Sequence, residues 1–167
     1  MADIEKKDPI RWGMVGGGQG SFIGEVHRIA ARLDNNYLFC AGALSSEPER
    51  SQKSGSALGL EKGRSYKNYE AMIEGESSRD DRIEAVSIVT PNDMHFPIAK
   101  RFLQEGFHVI CDKPMTVTTH EADELVELAN KQNLVFAVTY NYSGHPMVRH
   151  ARAMIEKIGR ASCRERV

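Results

Sequence analysis

At 167 residues, with 22 basic and 23 acidic side chains giving a formal net charge of -1, the chain has room for one well-buried domain and for no second full one. That balance leaves no electrostatic footprint for nucleic acid or for an anionic membrane surface. No apolar run approaches the roughly 20 residues that a bilayer span needs. The N-terminus MADIEKKDP is charged where a secretory signal would be apolar, so the expected location is cytoplasmic, with neither nucleic acid nor membrane as a partner.

In chain order, short apolar runs alternate with helical patterns, the signature of parallel strands joined by helical crossovers. The run 10–15 reads as the first strand. Ile23, Val26, Ile29, Ala30 and Leu33 follow at helical spacing and predict a helix whose apolar face lies on a sheet. The second strand is 37–44, and Ser46 with Glu49 forms a candidate capping box for a second helix that fades near Gly59. A short helix over 69–74 and a polar loop over 75–82 lead to a strand at 85–89.

His95, Ala99, Phe102 and Leu103 share a face of the next helix, which is followed by a strand at 109–111. Thr118 and Glu121 make a second candidate capping box, with Ala122, Leu125, Val126 and Ala129 as that helix's buried stripe. The last strand is 135–139, and a helix begins over 147–157. The fold class is therefore α/β, a Rossmann-type doubly wound parallel sheet. The final ten residues, IGRASCRERV, break the pattern, with no apolar periodicity and three arginines in seven positions. They resemble the translation of a sequencing-library adapter, so the expectation is a gene fragment ending in a non-native tail.

Chemistry concentrates at strand ends. Gly16, Gly17, Gly18, Gln19, Gly20, Ser21, Phe22, Ile23 and Gly24 lie between the first strand and the first helix. Glycines there let backbone N–H groups approach a pyrophosphate, and the following helix points the positive end of its dipole at the same group. Gly16 and Gly18 keep the usual spacing of a dinucleotide fingerprint; Ser21 stands where the third glycine belongs and Gly24 comes three residues late, which predicts an enlarged turn. Thr90, Pro91, Asn92, Asp93, Met94 and His95 follow one strand, and Cys111, Asp112, Lys113 and Pro114 follow the next. Both stretches occupy carboxyl ends of parallel strands, where open α/β sheets bind ligands.

Together with the glycine loop and the G-x-x-H that ends at His27, these stretches resemble the glucose-fructose oxidoreductase and inositol dehydrogenase family, Gfo/Idh/MocA, over roughly residues 10–157. The resemblance implies NAD or NADP across the glycine loop, with Gly16, Gly18, Gly20, Ser21, Phe22 and Ile23 at the phosphates and Ser45 and Ser46 at the end of the second strand. It implies redox chemistry on a sugar-like or polyol small molecule. Thr90, Asn92 and His95 are carried over as neighbours of the nicotinamide half, and Asn141, with Tyr142, as a border of the same pocket. Asp112 and Lys113 stand where the family has E-K-P, which makes Lys113 the catalytic residue that contacts the reacting hydroxyl and Asp112 a carboxylate near the ribose. Removing hydride from a carbinol requires the hydroxyl proton to be held and released, and a partly desolvated amine beside the positive ring suits that task.

The resemblance divides the chain into a dinucleotide-binding domain over 9–145, the start of a junction over 146–157 and the tail over 158–167, with a second, C-terminal domain missing and the fragment inactive by itself. The full-length parent is expected to be a homo-oligomer. A non-catalytic dinucleotide-binding sensor is the alternative, and retention of Lys113 argues for the enzyme. Ser45 and Ser46 replace the acidic residue that excludes a 2′-phosphate, so discrimination between NAD and NADP is expected to be modest, with Glu47 and Arg50 as opposing influences. His27 is read as a structural hydrogen-bonder, and Trp12, Tyr66 and Tyr69 as packing residues. Cys40, Cys111 and Cys163 are too scattered for a disulfide framework, and neither they nor the histidines suggest a metal site.

Overall fold

The computed structural model describes residues 8–158. Within them the strands are β1 (Ile10–Gly16), β2 (Tyr37–Ala43), β3 (Ala85–Val89), β4 (His108–Cys111) and β5 (Phe136–Val138). The α-helices are α1 (Phe22–Arg32), α2 (Pro48–Ala57), α3 (Tyr69–Ser77), α4 (His95–Gln104), α5 (Thr119–Gln132) and α6 (Pro146–Ile158). One sheet in the order β2-β1-β3-β4-β5 joins the strands, and every neighbouring pair is parallel. The chain leaves β1 for β2 on one side and returns to β3 on the other. That reversal is the topological switch point at which such sheets open a crevice beyond their carboxyl ends.

Successive strand residues face opposite sides. On one face Val15, Ala41, Ala43, Val86, Ile88, Val109 and Cys111 meet Met72 and Ile73 of α3, Ile98, Ala99, Phe102 and Leu103 of α4, and Leu125 and Ala129 of α5. Each large apolar side chain fully buried there contributes about 1.5–3 kcal/mol. Leu128 packs where Val126 was expected, and Val126 is exposed. The other face holds Trp12, Met14, Ala85 and Val89, with Ile23, Ala31, Tyr37 and Phe39 against them. The indole N–H of buried Trp12 donates to Ser87 Oγ at 2.9 Å.

Helix α1 departs from expectation. Gly24 and Arg28 are its buried residues, whereas Val26, Ile29 and Leu33 are 42 %, 48 % and 75 % exposed. The reason is local: a Cβ on Gly24 would lie 2.4 Å from the carbonyl oxygen of Gly17. That backbone contact seats the start of the helix on the loop; Ile23 packs on the sheet, while Val26 and Ala30 line an open groove with Trp12, Tyr37 and Ser87 instead of joining the core. The capping box at Ser46 and Glu49 does not form either. Helix α2 starts at Pro48 with Glu47 as a cap that makes no side-chain bond, because proline at the first helical position sets φ for the turn. The Thr118–Glu121 box forms in both directions.

Buried Arg64 pairs with buried Glu76 at 2.5 Å, and Glu76 also accepts from Tyr66 Oη at 2.8 Å and from the Ile83 N–H at 3.0 Å. The pair ties the β2–α3 connection to the start of β3. On α6, residues 146–157 are all exposed, including the stripe Met147, Val148, Met154 and Ile155. Residues 1–7 and 159–167, and with them Cys163 and all of the expected tail after Ile158, lie outside the described residues. Among the described residues no helix is long and apolar enough to cross a membrane.

Candidate cofactor and active site

The glycine loop is shaped from three sides. Gly16, Gly17 and Gly20 have φ of 78, 69 and 82°, a region in which glycine alone is at ease. The Gly18 N–H donates to Leu44 O at 3.1 Å, the Gln19 N–H to Ser54 Oγ at 3.1 Å and the Ser21 N–H to Gly18 O at 3.0 Å. Ser21 caps α1, accepting from the Gly24 N–H at 3.3 Å. The displaced third glycine is thereby explained, since Gly24 provides the close helix approach and Ser21 the cap. The N–H groups of Gly20, Phe22 and Ile23 form no hydrogen bond within the described residues. Unpaired N–H groups at the start of a helix make an anion site.

A cleft of about 600 Å³ opens in front of this loop, a volume suited to a small organic ligand. Gly16, Gly17, Gly18, Gly20, Ser21, Ser45, Ser46, Arg50 and Thr90 are among its lining residues. Thr90 supplies an independent sign that a polar ligand belongs there, because its Oγ1 is buried and has no hydrogen-bond partner among the described residues. A buried hydroxyl left unpaired costs about 1–3 kcal/mol. Unpaired loop N–H groups, a cradle that side chains would fill and an orphaned hydroxyl all fit a dinucleotide.

The second wall is a groove of about 460 Å³ lined by Trp12, His27, Ser87, Asp112, Lys113 and Asn141, with Ile23 of the loop helix among its apolar residues. Asp112 accepts from Thr139 Oγ1 at 2.6 Å, which fixes the carboxylate at the β4 end. Lys113 is exposed, so the described residues do not supply the desolvation expected of it. His27 Nδ1 lies 3.3 Å from Ser87 Oγ, in keeping with a structural role. Burial holds its imidazole below the ordinary value, and the Asp112 carboxylate works against that shift. Cys111, under the same strand end, has its thiol pushed up to about 12 by burial. Among the described residues no group of three or more His, Cys, Asp and Glu could hold a metal ion.

The structure thus gathers the expected residues into two adjoining places and leaves three on neither wall. Phe22 is 81 % exposed, and Asn92 is exposed in the 3-10 turn Asn92–Met94. His95, 1 % exposed, lies behind the cleft, with Nδ1 2.7 Å from Pro114 O and Nε2 3.0 Å from Thr90 O. It bridges the two strand-end stretches that carry Thr90 and Lys113. Sequence reasoning passed over Arg28 and Ser54, which hold the loop from behind. An arginine within the G-x-x-H helix, one position after the histidine, was the available signal.

Residues 10–140 match the model of an oxidoreductase family with an NAD-binding Rossmann fold, Gfo/Idh/MocA. The chain is 45 % identical over 150 residues to the uncharacterized oxidoreductase YfiI of Bacillus subtilis, covering 89 % of this chain and 38 % of that protein. It is 31 % identical over 157 residues to levoglucosan dehydrogenase of Pseudarthrobacter phenanthrenivorans, covering 89 % and 38 %. Among solved structures, the inositol dehydrogenase homolog of Azotobacter vinelandii complexed with NADH and myo-inositol superposes with a TM-score of 0.87 at 45 % identity, covering 90 % of this chain and 40 % of that one. The chain therefore spans about two fifths of the length of these relatives. With the parallel sheet, its switch point and the glycine-lined cleft already in place, this chain belongs to the Gfo/Idh/MocA oxidoreductases and carries their NAD-binding Rossmann domain.

Proposed function

We propose that the chain is the cofactor-binding part of an NAD(P)-dependent dehydrogenase that moves a hydride between nicotinamide and a hydroxyl or carbonyl of a sugar-like or polyol substrate. The observation that carries this reading is the placement of Asp112 and Lys113 at the β4 end, next to the cleft at the switch point. The bound cofactor supplies the hydride acceptor or donor. Gly20, Phe22 and Ile23 hold its pyrophosphate through N–H groups, with Ser21 capping the helix that carries them, Ser45 and Ser46 face its adenosine ribose, and Thr90, Asp112 and Asn141 border the nicotinamide half, with Asn92 on the exposed turn beside Thr90. His95 sets the spacing between the Thr90 and Lys113 stretches. Lys113 holds the substrate hydroxyl and takes its proton as the carbinol is oxidised, returning it in the reverse direction.

Ser45 and Ser46 after β2 and Arg50 of α2 line the cleft, with Glu70 of α3 as a carboxylate in the same lining, and this mixture of charges supports modest discrimination between NAD and NADP. In the relatives the chain length beyond the matched part leaves room for a second domain, and such a domain, closing over the groove, would desolvate Lys113 and fix the substrate carbon near the nicotinamide. Such positioning accounts for ~7–11 kcal/mol of barrier reduction, so the chain alone is expected to bind cofactor without appreciable turnover. The test is single-turnover hydride transfer, followed at the nicotinamide absorbance, in a parent protein that includes that domain. Lys113→Ala should slow transfer by roughly 10²–10⁴-fold with cofactor binding nearly intact; transfer at the parental rate defeats the assignment of Lys113.

A further inference from the structure

The peptide between Gly17 and Gly18 is held at both ends. Its N–H donates to Leu44 O at 3.1 Å, and its carbonyl accepts from Arg28 Nη1 at 2.5 Å. Arg28 lies on α1 behind the loop, 9 % exposed, with Nη1 also 3.5 Å from Met14 Sδ. It is not among the residues that line the cleft, so a ligand lying there is beyond its reach. Gly16 and Gly17 take left-handed conformations in succession. Glycine populates such conformations freely and loses more freedom than any other residue when fixed in one, so something outside the loop has to select this one. A guanidinium cannot shed its proton, and a buried charge requires a hydrogen-bonding partner. Gly17 O is the oxygen that Arg28 finds among the described residues. Turning that peptide over would strand the charge and also break the bond to Leu44.

We propose that Arg28 is a positioning residue for the cofactor: by fixing the Gly17–Gly18 peptide from behind, it aims the N–H groups of Gly20, Phe22 and Ile23 at the pyrophosphate without touching it. The proposal rests on reading the glycine loop as the pyrophosphate site, and the ligands of the test separate the two ideas. Calorimetric titrations of the chain with NADH, ADP-ribose and adenosine are compared for the parent sequence, Arg28→Met and Arg28→Lys, with the thermal midpoint of each recorded. Arg28→Met should weaken ADP-ribose and NADH about tenfold or more, the scale of a hydrogen bond to a charged group, and leave adenosine unchanged. Arg28→Lys, which keeps the charge and an N–H donor, should fall between the two. Should Arg28→Met fail to fold, Arg28→Gln, whose polar end stops short of Gly17, is read by the same ligands and expected to show the same selective loss. Equal weakening of ADP-ribose and adenosine, or no weakening of either, makes Arg28 a packing residue only and overturns the proposal. A parent chain that binds adenosine but gains nothing from the pyrophosphate overturns the loop reading itself, and this proposal with it.

Discussion

Replacing Gly24 with alanine sets two effects of opposite sign against each other. In a helix interior alanine is favoured over glycine by about 0.8–1 kcal/mol. Against that, the added Cβ would lie 2.4 Å from Gly17 O, 2.5 Å from Gly17 Cα and 2.7 Å from Gly17 C. All three are backbone atoms, so none can swing aside as the end of a side chain would. Overpacking of this kind typically costs about 1–3 kcal/mol. Relief requires Gly17 to move, which loosens the hydrogen bonds from Arg28 and to Leu44, each worth roughly 1 kcal/mol or more. The cost therefore lies at or above the top of that range, and the net destabilisation is about 2 kcal/mol after the helix gain. For a chain of this size that lowers the thermal midpoint by about 4–8 °C. Thermal and urea unfolding with and without NADH measure it, and the stabilisation by NADH should shrink because the start of α1 is pushed off the loop. Gly20→Ala is the control: its Cβ would meet nothing within 4 Å, and only the φ of 82° resists it, so its cost is about 1–2 kcal/mol of backbone strain. A midpoint for Gly24→Ala at or above the parent's would refute the seating of α1 on Gly17.

Thr90→Val removes the unpaired buried hydroxyl; the unliganded chain should keep or gain up to about 1 kcal/mol in urea unfolding, while NADH binds more weakly, and unaltered NADH affinity would remove Thr90 from the cofactor's contacts. Glu76→Gln uncouples the buried Arg64 and leaves donors facing an amide, so chemical denaturation should show a loss of about 3–5 kcal/mol; a loss below 1 kcal/mol would mean that the pair is solvated. The His27 imidazole is held below its ordinary value of 6.5 by burial, so the unfolded chain binds the extra proton first as pH falls. Its contribution to stability is complete above about pH 6.5 and declines below it until the folded-state value is passed, and His27→Gln should flatten that part of the midpoint-against-pH curve. Native Cys111, with its thiol pushed up to about 12, should resist iodoacetamide at neutral pH until the chain is unfolded, and rapid alkylation of the native protein would contradict its burial.

The order and type of the elements were legible in local pattern, because strand and helix periodicities differ and each apolar run was bounded by its own turn residues. The helix over 95–104 and the cap at Thr118 were legible for the same reason, as both depend on residues three or four positions apart. The strand-end location of the glycine loop, of Thr90 and of Asp112 and Lys113 also followed from local pattern and from the family resemblance. Tertiary structure alone decided which way the helices face and which polar groups meet. Helix α1 is seated by Gly24 on Gly17, seven residues earlier, a contact that periodicity within the helix cannot express, and Val26 and Ala30 border an open groove rather than the core. His95 fits the pattern of a ligand-lining residue, yet it is buried between Thr90 O and Pro114 O, which come together only when β3 and β4 pair. The helix pattern does not disclose the role of Arg28, because its partner, the Gly17 carbonyl oxygen, meets it only on folding. In each case the deciding partner arrives from another element. Local sequence therefore specifies the strands, helices and loops, and the packing between them assigns each polar side chain its work.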